Sequence, residues 1–299
     1  MSSGLTLVTG ATGFIGRHVV RRAKDRATRA MVRDASRARF GKSTEVVEAD
    51  LTRPASLPPA LEGVQTVIHA AAITANLKEP YRGAYDAINR QGTENLVAAA
   101  QAAGVERLVM VSGLGTKPSP PGTYMATRQG MEEAVRGSGI PYVILQPSVL
   151  FGDRATFTEG LADLARVSPV VPVLGGGGLR FQPLWIEDLV TCLLKAADDR
   201  SLDNRTVAVG GSEYVTLREV QETISQVLHK RRLLVPTPLA LARVGAILMA
   251  AVLPRPPVTP AAMDLFTFDN ATALDACDRE FGFHPRGFRE HLLAHGLEG

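Results

Sequence analysis

The sequence predicts an α/β fold: a doubly wound parallel sheet with a smaller C-terminal region that would hold a substrate. Three observations lead there. Through roughly the first half of the 299 residues, short β-type apolar runs alternate with helical stretches, the pattern of parallel strands joined by crossover helices. A glycine-rich turn, "VTGATGFIG", joins the first run to the first helix. Beyond residue 150 the alternation lapses.

Taken in order, "LTLVTG" reads as a strand and "GFIGRHVVRRAKD" as the helix after it. "ATRAMVR", "TEVVEAD" and "VQTVIHAAA" are further strands, the last ending in small residues. "YDAINRQGTENLVAAAQAAG" is a long helix and "ERLVMVSG" the next strand. The helix "YMATRQGMEEAVRGSG" closes on glycine before the strand "IPYVILQPS". In the second half, the glycine run of "VVPVLGGGGLRFQPLW" marks a turn between two short strands. Helices follow at "IEDLVTCLLKAADD", at "TLREVQETISQVLHK", over 238–253 and over 271–280, with a strand at "RTVAVGG". The expected division is 1–150 for the first domain and 151–299 for the second region, with segments of the latter returning to the sheet.

Gly10, Gly13 and Gly16 lie between the first strand and the first helix. There the chain must turn sharply, admit a pyrophosphate to its backbone, and pack the helix closely on the sheet with the phosphates at the helix N-terminus. Glycine meets all three demands without steric cost. In this strand-turn-helix context the triplet predicts a Rossmann-type dinucleotide site; the plainer alternative is a tight turn that holds no ligand. An acidic residue about 20 positions further on suits the ribose hydroxyls of NAD, and an arginine suits the 2′-phosphate of NADP. The second strand ends "MVRD", with Arg33 first and Asp34 beside it. Arg17 follows the third glycine directly and Arg37 is one turn beyond Arg33. Guanidinium forks match phosphate oxygens, so NADP is expected ahead of NAD. Arg21, Arg22 and Arg26 read as a solvated helix face.

Composition excludes several classes. With 33 Lys+Arg against 30 Asp+Glu, the net charge of +3 gives no reason to expect a nucleic-acid partner. Cys192 and Cys277 supply neither a disulfide framework nor a metal cluster, so no metal and a reducing, cytoplasmic setting are expected. The N-terminal apolar stretch is too short and too rich in Gly and Thr for a signal peptide. The segment "PLALARVGAILMAAVLP", residues 238–254, is apolar except for Arg243. It falls short of the roughly 20 residues of a membrane helix and reads as a buried or interfacial helix, with peripheral membrane contact left open.

The stretches "TGATGFIG", "VRD", "EADLTRP", "VIHAAA", "INRQGTENLVAAAQAAGVERLVMVSG", "YMATR" and "QPSVLFGD" cover residues 4–153, and "RFQPLWIEDLV" extends to about residue 190. In their order and content the chain resembles the short-chain dehydrogenase/reductase superfamily in its extended and atypical branches, the NAD-dependent epimerase/dehydratase group. Within it the chain is similar to the branch of the nucleotide-binding accessory subunit of respiratory complex I and NmrA-like redox-sensing proteins. The resemblance implies that Gly10, Gly13, Phe14, Ile15 and Gly16 cradle the pyrophosphate, that Arg33 meets the 2′-phosphate, and that Asp50 and Leu51 border the adenine. It implies that Ala70, Ala71 and Ala72 line the cofactor, that Asn89 organises the site, and that Pro147 and Ser148 lie against the nicotinamide. Plainer roles stand beside these: Asp50 ends a strand, Asn89 is a helix-surface amide, Pro147 stops a strand.

In active members of such a family a tyrosine transfers the proton, and a lysine four residues on supports it and holds the ribose. Residues four apart share a helix face. Tyr124 fits, but position 128 is arginine. A guanidinium still favours a phenolate and donates to ribose oxygens, yet it is bulkier and does not release a proton. Ser112 is the candidate for the family's catalytic hydroxyl, with Thr116 or Thr123 as substitutes, because Gly113 and Leu114 occupy the positions just after it. The plainer alternative is a tyrosine packed on a helix beside an exposed arginine. His69 reads as a core or supporting residue, and His18 lacks an acidic partner. No nucleophile elbow and no P-loop lysine appear.

The expected activity is an NADP-dependent oxidoreductase acting on a small carbonyl or alcohol compound, with Tyr124, Arg128 and Ser112 at the chemistry. The alternatives are a non-catalytic NADP(H)-binding redox sensor or assembly protein, and an epimerase or dehydratase that retains its cofactor. Arg180, Gln182 and Trp185 are candidate pocket groups, and the long fourth and fifth helices suit a homodimer by family analogy.

Overall fold

A computed structural model of the chain describes residues 4–175, 178–253 and 258–297. Its elements begin with β1 (Leu5–Thr9), α1 (Phe14–Arg22), β2 (Thr28–Val32), β3 (Thr44–Glu48), α2 (Leu57–Leu61) and β4 (Val64–His69). They continue with α3 (Gly92–Ala102), β5 (Arg107–Val111), α4 (Tyr124–Arg136), β6 (Tyr142–Pro147), β7 (Leu150–Phe151), α5 (Thr156–Val167), β8 (Val170–Leu174), β9 (Arg180–Phe181) and β10 (Leu184–Trp185). The last are α6 (Ile186–Asp198), β11 (Arg205–Val209), β12 (Val215–Thr216), α7 (Leu217–Val227), β13 (Leu233–Thr237), α8 (Leu239–Val252), α9 (Ala276–Phe281) and α10 (Phe288–His295).

The expected sheet is present, with seven strands in the order β11-β6-β5-β4-β1-β2-β3. The pairings among β1 to β6 are all parallel, with Val8 opposite Ala30 on one side and Ile68 on the other. Central strands of such a sheet are covered on both faces and so read as continuous apolar runs; Leu7, Val8, Val67, Ile68, Val109 and Met110 are completely buried. The chain steps from β1 outward to β3, then returns to the far side of β1 with β4. The loops leaving the C-terminal ends of β1 and β4 therefore diverge, and ligands of doubly wound sheets bind in the crevice this creates.

The chain divides into two compact units. The first comprises 1–73, 79–146 and 189–207, and the second 74–78, 147–188 and 208–299. In the first unit, the core gathers Leu7, Met31, Leu57, Leu61, Leu96, Leu108 and Ile144. The returning segment is fastened there by Arg107. Its fully buried guanidinium donates to the carbonyls of Ala196 (2.8 Å) and Asp199 (2.6 Å) and pairs with Asp203 (2.5 Å). The carbonyls at the end of α6 have no partner within the helix, and a cation there also meets the negative end of the helix dipole.

The second unit packs around Phe151, Phe181, Phe288, Val215, Val220 and Ile224. Its strands come in pairs: β7 with β10, β9 with β12, and β8 with β13. The strands on either side of the glycine run thus take different partners, while Gly176 and Gly177 of that run lie outside the described residues. α7 starts on a capping box, Thr216 accepting from the Glu219 N–H while Glu219 accepts from the Thr216 N–H.

Apart from the two-residue strands β7 and β12, four elements have no counterpart in the sequence reading: α2, α5, β13 and α10. α2 is one turn with two prolines, α5 follows Ala155 and α10 follows Gly287, neither of which caps through a side chain, and β13 carries Pro236. Each therefore lacks the start signal or breaks the propensity rule by which such elements are found. The helix expected over 271–280 spans Ala276–Phe281.

Candidate active site

The turn after β1 is wound against the loop after β4. Gly10 has φ +65°, and a Cβ there would lie 2.7–2.8 Å from Ala70 O, Ala70 C and Ala71 Cα. A Cβ on Gly16 would lie 2.2 Å from Gly10 O. Both glycines are therefore fixed by close backbone approach, Gly10 by its left-handed conformation as well. Gly13 instead is exposed, its N–H donating to Gly10 O at 2.8 Å.

This turn forms one wall of a cleft of about 440 Å³ at the C-terminal ends of the strands. Gly10, Thr12 and Gly13 face Ala70, Ala71, Ala72 and Ile73 across it, while Val32, Arg33, Asp50, Leu51 and Thr52 line the end reached by β2 and β3. Pro80, Tyr81 and Ile88 complete the lining. Small side chains after β4 leave the space open, which is what a cofactor lying along the strand ends requires.

Of the cations near β2, Arg33 lines the cleft, is exposed, and pairs with no carboxylate among the described residues. Asp34 turns into its own 3-10 turn, accepting from the Ser36 N–H at 3.0 Å and pairing with Arg37 at 3.0 Å. Arg17 does not reach the cleft as the spacing led us to expect; its guanidinium lies over the Phe14 ring, 5.5 Å from the centroid. Phe14, Ile15 and Gly16 open α1 behind the cleft lining. Asp50 lines the cleft, but its Oδ1 accepts from the Thr52 N–H and hydroxyl, both at 2.8 Å.

Asn89 is neither a surface amide nor part of the cleft lining. It is completely buried, its Oδ1 accepting from the Ile73 N–H (2.8 Å) and its Nδ2 donating to the Ile73 carbonyl (3.0 Å). It thereby clamps the end of the alanine loop. The start of the long helix, Asp86–Gln91, is π-helical rather than α-helical, a widening often found beside functional sites. His69 is also a supporting residue. Its ring spans Thr9 Oγ1 (2.7 Å) and Thr93 Oγ1 (3.0 Å), and burial pushes its pKa down to about 4, so the ring is neutral.

Tyr124 and Arg128 project from one face of α4, whose first turn is capped by Thr123 accepting from the Ala126 N–H. That cap, with a hydroxyl donation to Pro120 O, employs Thr123 structurally. Arg128 is buried, not the exposed arginine of the plainer reading; 7% of it is accessible. Its Nη2 donates to Leu114 O at 3.3 Å, Nη1 lies 3.7 Å from Met125 Sδ, and its Cζ sits 5.7 Å from the centroid of the Tyr124 ring. No carboxylate among the described residues pairs with it, so a guanidinium with five donors keeps most of its capacity for another partner. Gly113 makes this possible, since a Cβ there would meet Arg128 Nη2 at 2.4 Å. Tyr124 also meets Tyr85 edge-on at 5.4 Å, three positions before the cleft residue Ile88.

Ser112 lies elsewhere in its bonding. Its hydroxyl donates to Glu132 Oε1 at 2.5 Å and is 3.2 Å from Thr116 Oγ1. Glu132 is 2% exposed and also accepts from Gln146 (2.8 Å) and Arg136 (2.5 Å). Glu132, Tyr81 and Tyr85 escaped the sequence reading. For Glu132 a signal existed: it stands four residues beyond Arg128, on the face of α4 that carries the pair.

In the second unit, Ser148 is buried, with its hydroxyl 2.9 Å from both the backbone O and Oδ1 of Asn270. Pro147 closes β6. Gln182 is a framework residue, donating to Gly211 O and accepting from the Thr272 N–H, both at 2.7 Å. Arg180 pairs with Asp269, and Trp185 lies under Arg286 at 4.1 Å.

The cleft lining fits a dinucleotide: Gly10, beside the buried Gly16, holds a turn that a side chain would fill, and Arg33 pairs with no carboxylate among the described residues, while Arg128, with donors to spare, lies outside that lining. Comparison with known proteins agrees. A family profile described as NAD(P)H-binding matches residues 10–164. The chain is 35% identical over 195 residues to a ceramide reductase of Caulobacter vibrioides, covering 64% of this chain and 60% of that protein. It is 24% identical over its whole length to 76% of the mitochondrial NADH dehydrogenase [ubiquinone] 1 alpha subcomplex subunit 9 of Arabidopsis thaliana. A nucleoside-diphosphate-sugar epimerase from Staphylococcus aureus shares the fold, with a TM-score of 0.77 at 15% identity over 96% of this chain and 99% of that one.

Proposed function

The chain belongs to the NAD(P)H-binding family, and from that premise we propose that it is an NADP-dependent oxidoreductase acting on a small carbonyl or alcohol compound. One observation carries the reading: Tyr124 and a buried Arg128, which pairs with no carboxylate among the described residues, share one face of α4, with the Arg128 Cζ 5.7 Å from the centroid of the Tyr124 ring. When bound, the nicotinamide supplies or accepts the hydride. The Tyr124 hydroxyl gives its proton to the substrate oxygen in the reducing direction and takes it back in the oxidising one. Arg128 stabilises negative charge on the phenolic oxygen and holds ribose hydroxyls through its spare N–H groups. Gly10 and Gly13 receive the pyrophosphate, and Arg33, which pairs with no carboxylate among the described residues, meets the 2′-phosphate. The Caulobacter relative is a ceramide reductase, which supports the class.

A second reading, a non-catalytic NADP(H)-binding protein, is favoured by Ser112, whose hydroxyl is engaged by Glu132 instead of standing free to assist Tyr124. Turnover of NADPH over a panel of ketones, enones and quinones separates the two. Tyr124→Phe is expected to lower kcat about 10²–10⁴-fold, the usual contribution of a general acid or base, with NADPH affinity kept. NADPH binding without turnover in either form would leave the second reading standing.

A further inference from the structure

We propose that α8 is an in-plane docking helix for an anionic lipid surface. Its sequence is LALARVGAILMAAV, and Ala246 alone is buried among its residues. Ala246, with Leu239 and Ala242 against the same cluster, meets the core of the second unit. At about 100° per residue, Leu241, Val244, Ile247, Leu248 and Val252 fall on the opposite side within an arc of about 140°. These five are 65, 55, 52, 64 and 82% exposed. Leu233 and Val235, in the strand that leads into the helix, are exposed as well. Single exposed aliphatic residues need no explanation, but a contiguous apolar face of this kind marks an interaction surface.

Charge identifies the occupant. From Thr223 to Met263 the sequence has no aspartate or glutamate, whereas it has Lys230, Arg231, Arg232, Arg243 and Arg255. Lys230 and Arg232 are held in place by donating to Arg166 O (2.9 Å) and Ala165 O (2.6 Å) at the end of α5. Arg231 between them pairs with no carboxylate among the described residues, and Arg243 is held by Asp264. An apolar face preceded by cations suits a bilayer with anionic headgroups: the aliphatic side chains enter the acyl boundary while the cations meet phosphates. A second copy is the poorer occupant, because two-fold pairing sets the same face against itself and offers Arg231 no carboxylate. The helix of 14 residues is about 21 Å long, short of the hydrocarbon core. No helix among the described residues is long and apolar enough to cross a membrane, so α8 lies along the surface.

Co-sedimentation of the full chain with vesicles tests this. Mixed phosphatidylglycerol/phosphatidylcholine vesicles are expected to carry the protein down at low salt, and pure phosphatidylcholine vesicles to bind it several-fold more weakly. Ile247→Glu with Leu248→Glu should reduce binding at least about tenfold by placing charge in the apolar face. The milder pair Leu241→Ser and Val244→Ser should weaken it in the same direction, and Arg231→Ala should cost about fivefold on anionic vesicles only. All these side chains are exposed, so thermal unfolding should match the parent. Equal sedimentation of parent and variants, or equal binding to neutral vesicles, overturns the proposal. So does a parent dimer that the same substitutions split into monomers while vesicles bind neither form.

Discussion

The Arg128 guanidinium lies 5.7 Å from the centre of the Tyr124 ring, in a pocket that leaves it 7% exposed and gives it one carbonyl, that of Leu114. A buried cation without a carboxylate is a cost to folding that an apolar residue of similar length removes. We therefore expect Arg128→Met to raise the unfolding free energy of the ligand-free protein by about 1–2 kcal/mol while weakening NADPH. Urea unfolding and a fluorescence titration with NADPH measure the two. Lower stability with unchanged affinity would make Arg128 a framework residue. Arg128→Lys should keep NADPH binding and raise turnover, because the ammonium is smaller and exchanges protons.

Arg33 faces the cleft at the end of β2, while Asp34 is bound to Ser36 and Arg37. Its removal should therefore be felt by a 2′-phosphate and hardly by a 2′-hydroxyl. A charge-assisted guanidinium–phosphate contact is worth about 1.5–3 kcal/mol. Arg33→Ala should raise the Kd for NADPH by about ten- to a hundredfold and that for NADH by less than about threefold. Equal losses for the two would remove the assignment.

His69 supplies a pH dependence whose sign is fixed by its burial. The folded ring stays neutral down to about pH 4, whereas the unfolded ring takes a proton near its ordinary value of about 6.5. Between these values the unfolded chain binds more protons, so stability rises with pH across that window and is flat above it. As pH falls from about 6.5 to about 4, this residue should remove up to about 3 kcal/mol of stability. His69→Gln should abolish that part of the slope when urea midpoints are compared across the window; an unchanged slope would place the effect elsewhere.

The sheet, the glycine turn and the alanine loop were legible because they rest on local patterns: apolar runs of strand length, and glycines whose absent Cβ is forced by close approach of Gly10 to Ala70 and of Gly16 to Gly10. Arg33 was legible from its distance along the chain. What was not legible depended on direction in space. Arg17 follows Gly16 directly, yet its side chain lies over Phe14. Asn89 lies on a helix, but a π-helical turn accompanies its inward course to Ile73. Nothing local distinguishes Ser112 facing Glu132 from Ser112 facing Tyr124, since that choice is made by the packing of α4 on β5 and β6. The apolar segment over 238–254 reads as buried or interfacial from sequence, and only the packing of α8 within it shows that, of the helix, Ala246 alone is buried while a whole face is not.

Ser112 and Glu132 can be separated from the chemistry by a double-mutant cycle. The 2.5 Å donation from Ser112 ends on a carboxylate that is 2% exposed and also serves Gln146 and Arg136. Glu132→Gln substitutes an NH₂ for one acceptor oxygen and leaves a buried donor facing donors, at a cost of about 2 kcal/mol. Arg136 is partly exposed, so water meets its freed charge and the loss stays below that of a fully buried pair. Ser112→Ala should cost about 1 kcal/mol. In the double variant the losses should fall short of their sum by at least about 0.5 kcal/mol, as for any two residues in one network. Turnover in Ser112→Ala should stay within about tenfold of the parent, far less than the loss in Tyr124→Phe. A fall in kcat of the Tyr124→Phe size, with additive stability losses, would return Ser112 to the reacting centre and make its bond to Glu132 a resting arrangement.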